Sequence, residues 1–106
     1  MKFWIDDMRP APKGYHWYKT VNAVKRAIRN LEFVYQHTHN ELYRIELIDM
    51  DHDAGDYARS GGDYIELLNW FEETKKNYPI RIHSMNPVGV ENMRRIIRRN
   101  GWKEIV

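Results

Sequence analysis

Three short apolar segments, each running straight into polar residues, constrain the fold of this chain more than any other feature. Ile45-Glu46-Leu47-Ile48-Asp49-Met50 leads into Asp51-His52-Asp53-Ala54-Gly55. Phe3-Trp4-Ile5 leads into Asp6-Asp7, and Ile80-Arg81-Ile82 leads into His83-Ser84-Met85-Asn86-Pro87. Short runs of branched and aromatic residues closed by turn signals read as buried strands. Carboxylates crowded at a strand end raise one another's pKa, so such a cluster calls for a cation, a proton or a ligand to relieve it. Three strands that end this way predict one site at one edge of a sheet.

The remaining segments fill in an alternating order. After strand Lys2–Ile5, a loop carrying Pro10, Pro12 and Gly14 leads to an aromatic strand, Tyr15–Lys19. Thr20 or Asn22 caps a helix whose apolar stripe is Val24, Ala27, Ile28 and Leu31. Gln36–Asn40 reads as a loop or a frayed last turn. Strand Ile45–Asp51 precedes a loop with Gly55, Gly61 and Gly62, then a helix from Asp63 to Asn77 with Tyr64, Leu67, Leu68 and Phe71 on one face. Pro79 separates it from strand Ile80–His83. Asn86-Pro87 opens a last helix with a cap and a first-turn proline, and Asn100-Gly101 closes it. Trp102–Val106 reads as a fifth strand. Strands alternating with helices predict an open α/β sheet, mostly parallel. Only nine residues separate the first two strands, fewer than a parallel crossover usually takes, so the first helix is reduced to a loop or the second strand pairs differently.

Length and composition bound the function. A chain of 106 residues, 42% hydrophobic and 30% charged, is expected to fold as a single domain over residues 1–106. The absence of cysteine excludes disulfides and thiolate metal sites. No apolar run approaches the ~20 residues of a membrane helix, and no signal-peptide pattern stands at the start, so a cytoplasmic protein with no membrane role is expected. The net charge of +2 argues only weakly for a polyanionic partner. Arg94, Arg95, Arg98 and Arg99 lie on the last helix opposite Val90, Met93 and Ile97, and read as a solvated basic face more readily than as an RNA track. His37 and His39 have no partner motif.

The three strand-end motifs resemble those of one family. In receiver (CheY-like) domains an acidic pair follows the first strand, a phosphoacceptor Asp ends the third and a Ser or Thr ends the fourth; Asp6-Asp7, Asp51 and Ser84 match those positions. The closer resemblance is to the cyclic-phosphate processing receiver domain family. Its motifs are matched by Asp6-Asp7-Met8-Arg9-Pro10, by Met50-Asp51-His52-Asp53-Ala54-Gly55 and by His83-Ser84-Met85-Asn86-Pro87-Val88-Gly89. The resemblance implies a CheY-like (flavodoxin-like) sheet of about five strands in the order 2-1-3-4-5, with a reduced first helix and no fifth helix. It also implies hydrolysis of cyclic phosphates on RNA ends, as in RNA repair, or on nucleotides. The Lys that ends the fifth strand of ordinary receivers is absent, since Lys103 begins the last segment and Glu104-Ile105-Val106 ends it. Phosphoacceptor signalling through Asp51 is thereby demoted.

The residue chemistry is compatible with a cyclic phosphodiesterase. Asp6, Asp7 and Asp51 suit a hard cation, Mg2+ or Mn2+. His52 and His83, with Asp51, are the candidate catalytic residues, because opening a cyclic phosphodiester takes a base and an acid and imidazole serves as either. Arg9, Ser84, Asn86 and Asp53 are candidates for holding phosphate or substrate, Arg9 through its guanidinium fork and Asn86 at the opening of a helix. Arg9 is otherwise expected to pair with Asp7 or Asp53, and Asn86 to serve as a plain cap. The same residues suit a non-catalytic module that binds a phosphate-bearing ligand or a partner protein. Exposed aromatics such as Trp17, Tyr18, Tyr35 and Tyr57 suit a base or a partner subunit.

Overall fold

Period-two alternation sorts the strand residues of this chain onto two unlike sides of one sheet. The computed structural model describes residues 1–106 and contains β1 (Lys2–Ile5), β2 (Tyr15–Tyr18), β3 (Leu47–Met50) and β4 (Ile80–Ile82). All pair in parallel, in the order β2-β1-β3-β4. Phe3, Ile5, Ile48, Met50 and Ile80 are fully buried on one side. The register sets Lys2 beside Tyr15 and Leu47, Trp4 beside Trp17 and Asp49, and Asp49 beside Arg81 on the other.

Three helices cover the apolar side: α1 (Val21–Thr38), α2 (Ile65–Thr74) and α3 (Pro87–Asn100). Val24 and Ile28 of α1, Leu67, Leu68 and Phe71 of α2, and Met93 and Ile97 of α3 join the sheet in one core. Crossover handedness explains why all three share a side. The chain steps from β2 to β3 to β4 in one direction across the sheet, and right-handed crossovers in one direction place every connection on the same face. The step from β1 to β2 runs the other way, so its short connection crosses the opposite face, where the Arg9 carbonyl accepts a hydrogen bond from Trp4 Nε1 at 2.8 Å. That connection contains no helix, in line with its nine residues.

Several element bounds depart from expectation. α1 runs on through Gln36, His37 and Thr38 to a left-handed residue at His39. Its last turn is closed by side chains, with Thr38 Oγ1 donating to the Val34 carbonyl and His37 Nδ1 lying 2.8 Å from the Phe33 carbonyl. α2 is shorter than Asp63–Asn77. The Asp63 carboxylate is taken by the Ala54 amide (2.9 Å) instead of capping, and Lys75 turns left-handed at φ 56°. The loop before α2 holds a 3-10 helix, Gly55–Arg59. The fifth strand is not present as such. Trp102–Val106 contributes a single parallel bridge, Ile80 with Glu104, held by Ile80 N to the Lys103 carbonyl (2.9 Å) and Ile105 N to the Ile80 carbonyl (2.8 Å). The bridge nevertheless lies next to β4, the place a fifth strand would take. No helix is long and apolar enough to cross a membrane.

Phe71 is fully buried, edge-on to both Tyr78 and Trp102, and so ties α2 to the chain before β4 and after α3. Phe71→Ala is expected to cost about 3–5 kcal/mol in urea unfolding; a loss below ~1 kcal/mol would contradict this packing.

Candidate functional site

The alternation that builds the core also builds the site. Trp4 and Asp6, Asp49 and Asp51, and Arg81 and His83 are spaced by two, and each pair faces the helix-free side. The ladder continues one residue past the strands, with Asp6 N on the Tyr18 carbonyl, Asp51 N on the Ile5 carbonyl and His83 N on the Met50 carbonyl. Three side chains capable of chemistry are thereby fixed along one edge by backbone hydrogen bonds.

Asp6 is the centre of this edge and is fully buried. Its Oδ1 accepts from the Met8 and Arg9 amides (2.9 and 2.8 Å), and its Oδ2 accepts from Arg9 Nε and His83 Nε2 (both 2.9 Å). Burial alone would raise its pKa. The two backbone donors, the His83 contact and the Arg9 charge together outweigh burial and hold the carboxyl below its ordinary 3.8. Arg9 goes on to Asp51 Oδ2 (3.1 Å) and the His83 carbonyl (3.0 Å), so one guanidinium joins the ends of β1, β3 and β4. Its partners are thus Asp6 and Asp51, not Asp7 or Asp53.

His83 is held on every side. Nδ1 lies 2.6 Å from Asp49 Oδ1 and Nε2 lies against Asp6, while the ring stacks on Trp4 with centroids 3.7 Å apart and planes 4° from parallel. Ionised carboxylates only accept hydrogen bonds, so meeting both contacts takes an N–H on each ring nitrogen. Asp49 and Trp4 complete the cluster, and the sequence reading gave neither a role. Their signal was the spacing of two from Asp51 and Asp6.

His52 is held differently. Its Nδ1 lies 2.8 Å from Asp53 Oδ1, and its other nitrogen has no protein partner. Asp53 titrates below the ordinary range, first because of that hydrogen bond, which together with Asn86 and the His52 charge outweighs the cost of burial. Asn86 Nδ2 reaches Asp53 Oδ2 at 3.3 Å while Asn86 Oδ1 accepts from Gly89 N at 3.0 Å, so it caps α3 and steadies Asp53 together. Ser84 Oγ accepts from the Asn86 amide at 3.2 Å. The His52 ring packs flat on the first turn of α3, where a Cβ on Gly89 would meet its Cγ at 2.5 Å. Gly55 answers two demands, since it sits at φ +55° and a Cβ there would meet Asp7 Oδ2 at 2.5 Å.

Asp7 alone of the three clustered acids has no cation in hydrogen-bond reach. Burial, with the charges of Asp6 and Asp51 adding to it, raises its pKa. Asp6, Asp7 and Asp51 each offer an oxygen within 4.8 Å of the others. The buried Tyr64 hydroxyl beneath them is pushed above its ordinary range by burial and then by these carboxylates. Four carboxylates, counting Asp49, stand against Arg9 and His83, and an acid left unpaired among them fits a hard divalent cation. The basic cluster on α3 is largely paired: Arg94 with Glu104 (2.8 Å), Arg99 with Glu72 (2.9 Å) and Arg98 with Glu91 (3.5 Å). Lys103 bonds through its backbone to Ile80, at the opposite end of β4.

The opposed shifts of Asp6 and Asp7 predict opposite effects of neutralising them. Asp6→Asn removes a buried acceptor of four donors and is expected to cost about 2–4 kcal/mol. Because its folded pKa is depressed, Asp6 stabilises fully above its unfolded value near 3.8, and this contribution is lost as pH falls through the lower folded value. Asp7 has the raised pKa, so its contribution is present below the unfolded value and lost as pH rises through the folded one. Asp7→Asn is therefore expected to raise Tm at neutral pH. Thermal unfolding of both variants between pH 3 and 7 checks the signs; a fall in Tm for Asp7→Asn at neutral pH would contradict them.

The sequence model of the cyclic-phosphate processing receiver domain matches residues 1–99. No curated protein and no solved structure matches the chain significantly. With that match over nearly the whole chain, and the parallel receiver-like sheet in place, the protein belongs to the cyclic-phosphate processing receiver domain family.

Proposed function

We propose that this edge binds a cyclic phosphate, at an RNA end or on a nucleotide, and opens it by hydrolysis. The observation that carries the reading is the unlike treatment of the two histidines. His83 is committed to Asp6 and Asp49 on both nitrogens, whereas His52 is held by one nitrogen and its other makes no hydrogen bond within the protein. A group anchored on one side and open on the other suits proton transfer. One held on both sides suits positioning.

In this reading water attacks phosphorus, a P–O bond forms, and one ring P–O bond to the ribose breaks. His52 takes a proton from the water, and the imidazolium so formed is the nearest proton source for the departing ribose oxygen. The product is a phosphate monoester. Asp53, aided by Asn86, holds the His52 ring. The opening of α3 at Asn86, with the Ser84 hydroxyl and the Arg9 guanidinium, offers donors to the phosphate oxygens. Asp6, Asp7 and Asp51 would hold a Mg2+ or Mn2+, which when bound supplies charge for the phosphate oxygens and acidifies a bound water. His83 with Asp49 fixes Asp6. Asp51 as a phosphoacceptor is disfavoured, because Lys103 stands at the far end of β4. A non-catalytic phosphate-binding module is the second reading, since the same donors would hold a phosphate whether or not it is turned over.

Hydrolysis of 2′,3′-cyclic AMP and of a cyclic-phosphate-ended oligoribonucleotide, with Mg2+, Mn2+ or chelator, tests the proposal. His52→Ala is expected to lower kcat by about 10²–10⁴-fold, and Gly89→Ala, which displaces the His52 ring, by at least tenfold with Tm little changed. Loss of turnover in chelator would assign the metal. Saturable binding without turnover under every condition would favour the binding module.

A further inference from the structure

We infer that Trp17, Lys19 and Tyr57 form a nucleobase subsite at the rim of the acidic cluster. The inference deepens the cyclic-phosphate reading by naming the part of the ligand that is not phosphate. Trp17 and Tyr57 are both exposed aromatic side chains, each 38% accessible. They come from different elements, β2 and the 3-10 helix that follows β3. Both meet at Lys19, whose Nζ lies 4.7 Å from the Trp17 ring centroid and 5.6 Å from that of Tyr57. The two centroids are therefore at most about 10 Å apart across one nitrogen. The lysine nitrogen lies over the face of each ring, so a planar base that displaces this flexible side chain would meet both aromatic faces.

Position ties the rings to the site. Trp17 Nε1 donates to the Asp6 carbonyl at 2.7 Å, so the indole is pinned to the residue at the centre of the acidic edge. Tyr57 follows Gly55, which abuts the Asp7 carboxylate. A cavity of about 360 Å³ lined by Asp56, Tyr57, Arg59 and Ser60 opens beside the tyrosine. Two aromatic faces and a cation beside a phosphate-binding edge match what a nucleotide presents: a base with a π-face and an anionic backbone. A ligand without a base would leave both rings unused.

The experiment compares a nucleotide with a base-free cyclic phosphate on the intact chain. The substrates are 2′,3′-cyclic AMP and glycerol 1,2-cyclic phosphate, and the variants are Tyr57→Ala and Trp17→Phe. Binding of adenosine 3′-phosphate and of glycerol phosphate, measured by calorimetry, runs alongside. Tyr57→Ala is the decisive variant, because the Tyr57 side chain is exposed and its loss leaves Asp6 untouched, whereas any change at Trp17 also removes the indole donor to Asp6. Tyr57→Ala is expected to raise KM for the nucleotide, and Kd for adenosine 3′-phosphate, by roughly tenfold, while the glycerol compounds are unaffected. No change for the nucleotide, or an equal change for both ligands, would overturn the subsite. Nucleotide binding that depends on Tyr57 without turnover of either substrate would support the subsite while removing the hydrolysis reading.

Discussion

The contact on which the rest of the site depends is the one between the buried Asp6 carboxylate and its four donors. A carboxylate with no accessible surface is costly unless it is paired and hydrogen-bonded, and here two backbone amides, Arg9 and His83 all point at it. The same Arg9 reaches Asp51 and the His83 carbonyl, so the charge that satisfies Asp6 also fixes the separation of three strand ends. His83 extends the network through Asp49 and Trp4 into the sheet. The acids of this edge are thus largely balanced from within, and the residual imbalance is concentrated at Asp7.

That balance follows from the one-sided architecture. A parallel sheet is ordinarily covered on both faces by crossover helices; here the only connection on the second face is the nine-residue segment between β1 and β2. The face it leaves carries Trp4, Tyr15 and Trp17 with Lys2, Asp49 and Arg81. Polar groups on that side are free to run continuously from the sheet surface into the strand-end cluster. A helix in that place would have put apolar side chains over Asp49 and Trp4. The short first connection and the His83 network are two aspects of one arrangement.

Much of this was legible locally. The β1, β3 and β4 segments, Thr20 as a cap, and the Asn86–Gly101 bounds of α3 follow from signals within a few residues of each element, as does the gathering of Asp6, Asp7, Arg9, Asp51, His52, Asp53, His83, Ser84 and Asn86 at one edge. What escaped depends on contacts distant in sequence. The second helix starts later than Asp63, whose carboxylate is claimed by the Ala54 amide nine residues back. α1 outlasts its apolar stripe because Thr38 and His37 close the final turn. The last segment contributes a single bridge, Ile80 with Glu104, instead of a strand. Asp49 reads only as one of the carboxylates grouped with Asp51 and Asp53, and the pairing of β3 with β1 and β4 reveals it as a partner of His83. His52 and His83 look equivalent in sequence and differ in the structure through what surrounds each ring.

The central claim is that a cyclic phosphate sits at this edge with phosphorus between Arg9, the opening of α3 and His52. A crystal structure of the chain soaked with a slowly hydrolysed 2′,3′-cyclic phosphorothioate nucleotide tests it most directly. The account predicts non-bridging phosphorothioate atoms within hydrogen-bond distance of Arg9 or Ser84 and the unpartnered nitrogen of His52 facing the phosphorus. Phosphorothioate density elsewhere on the molecule, with His52 facing solvent alone, would contradict it.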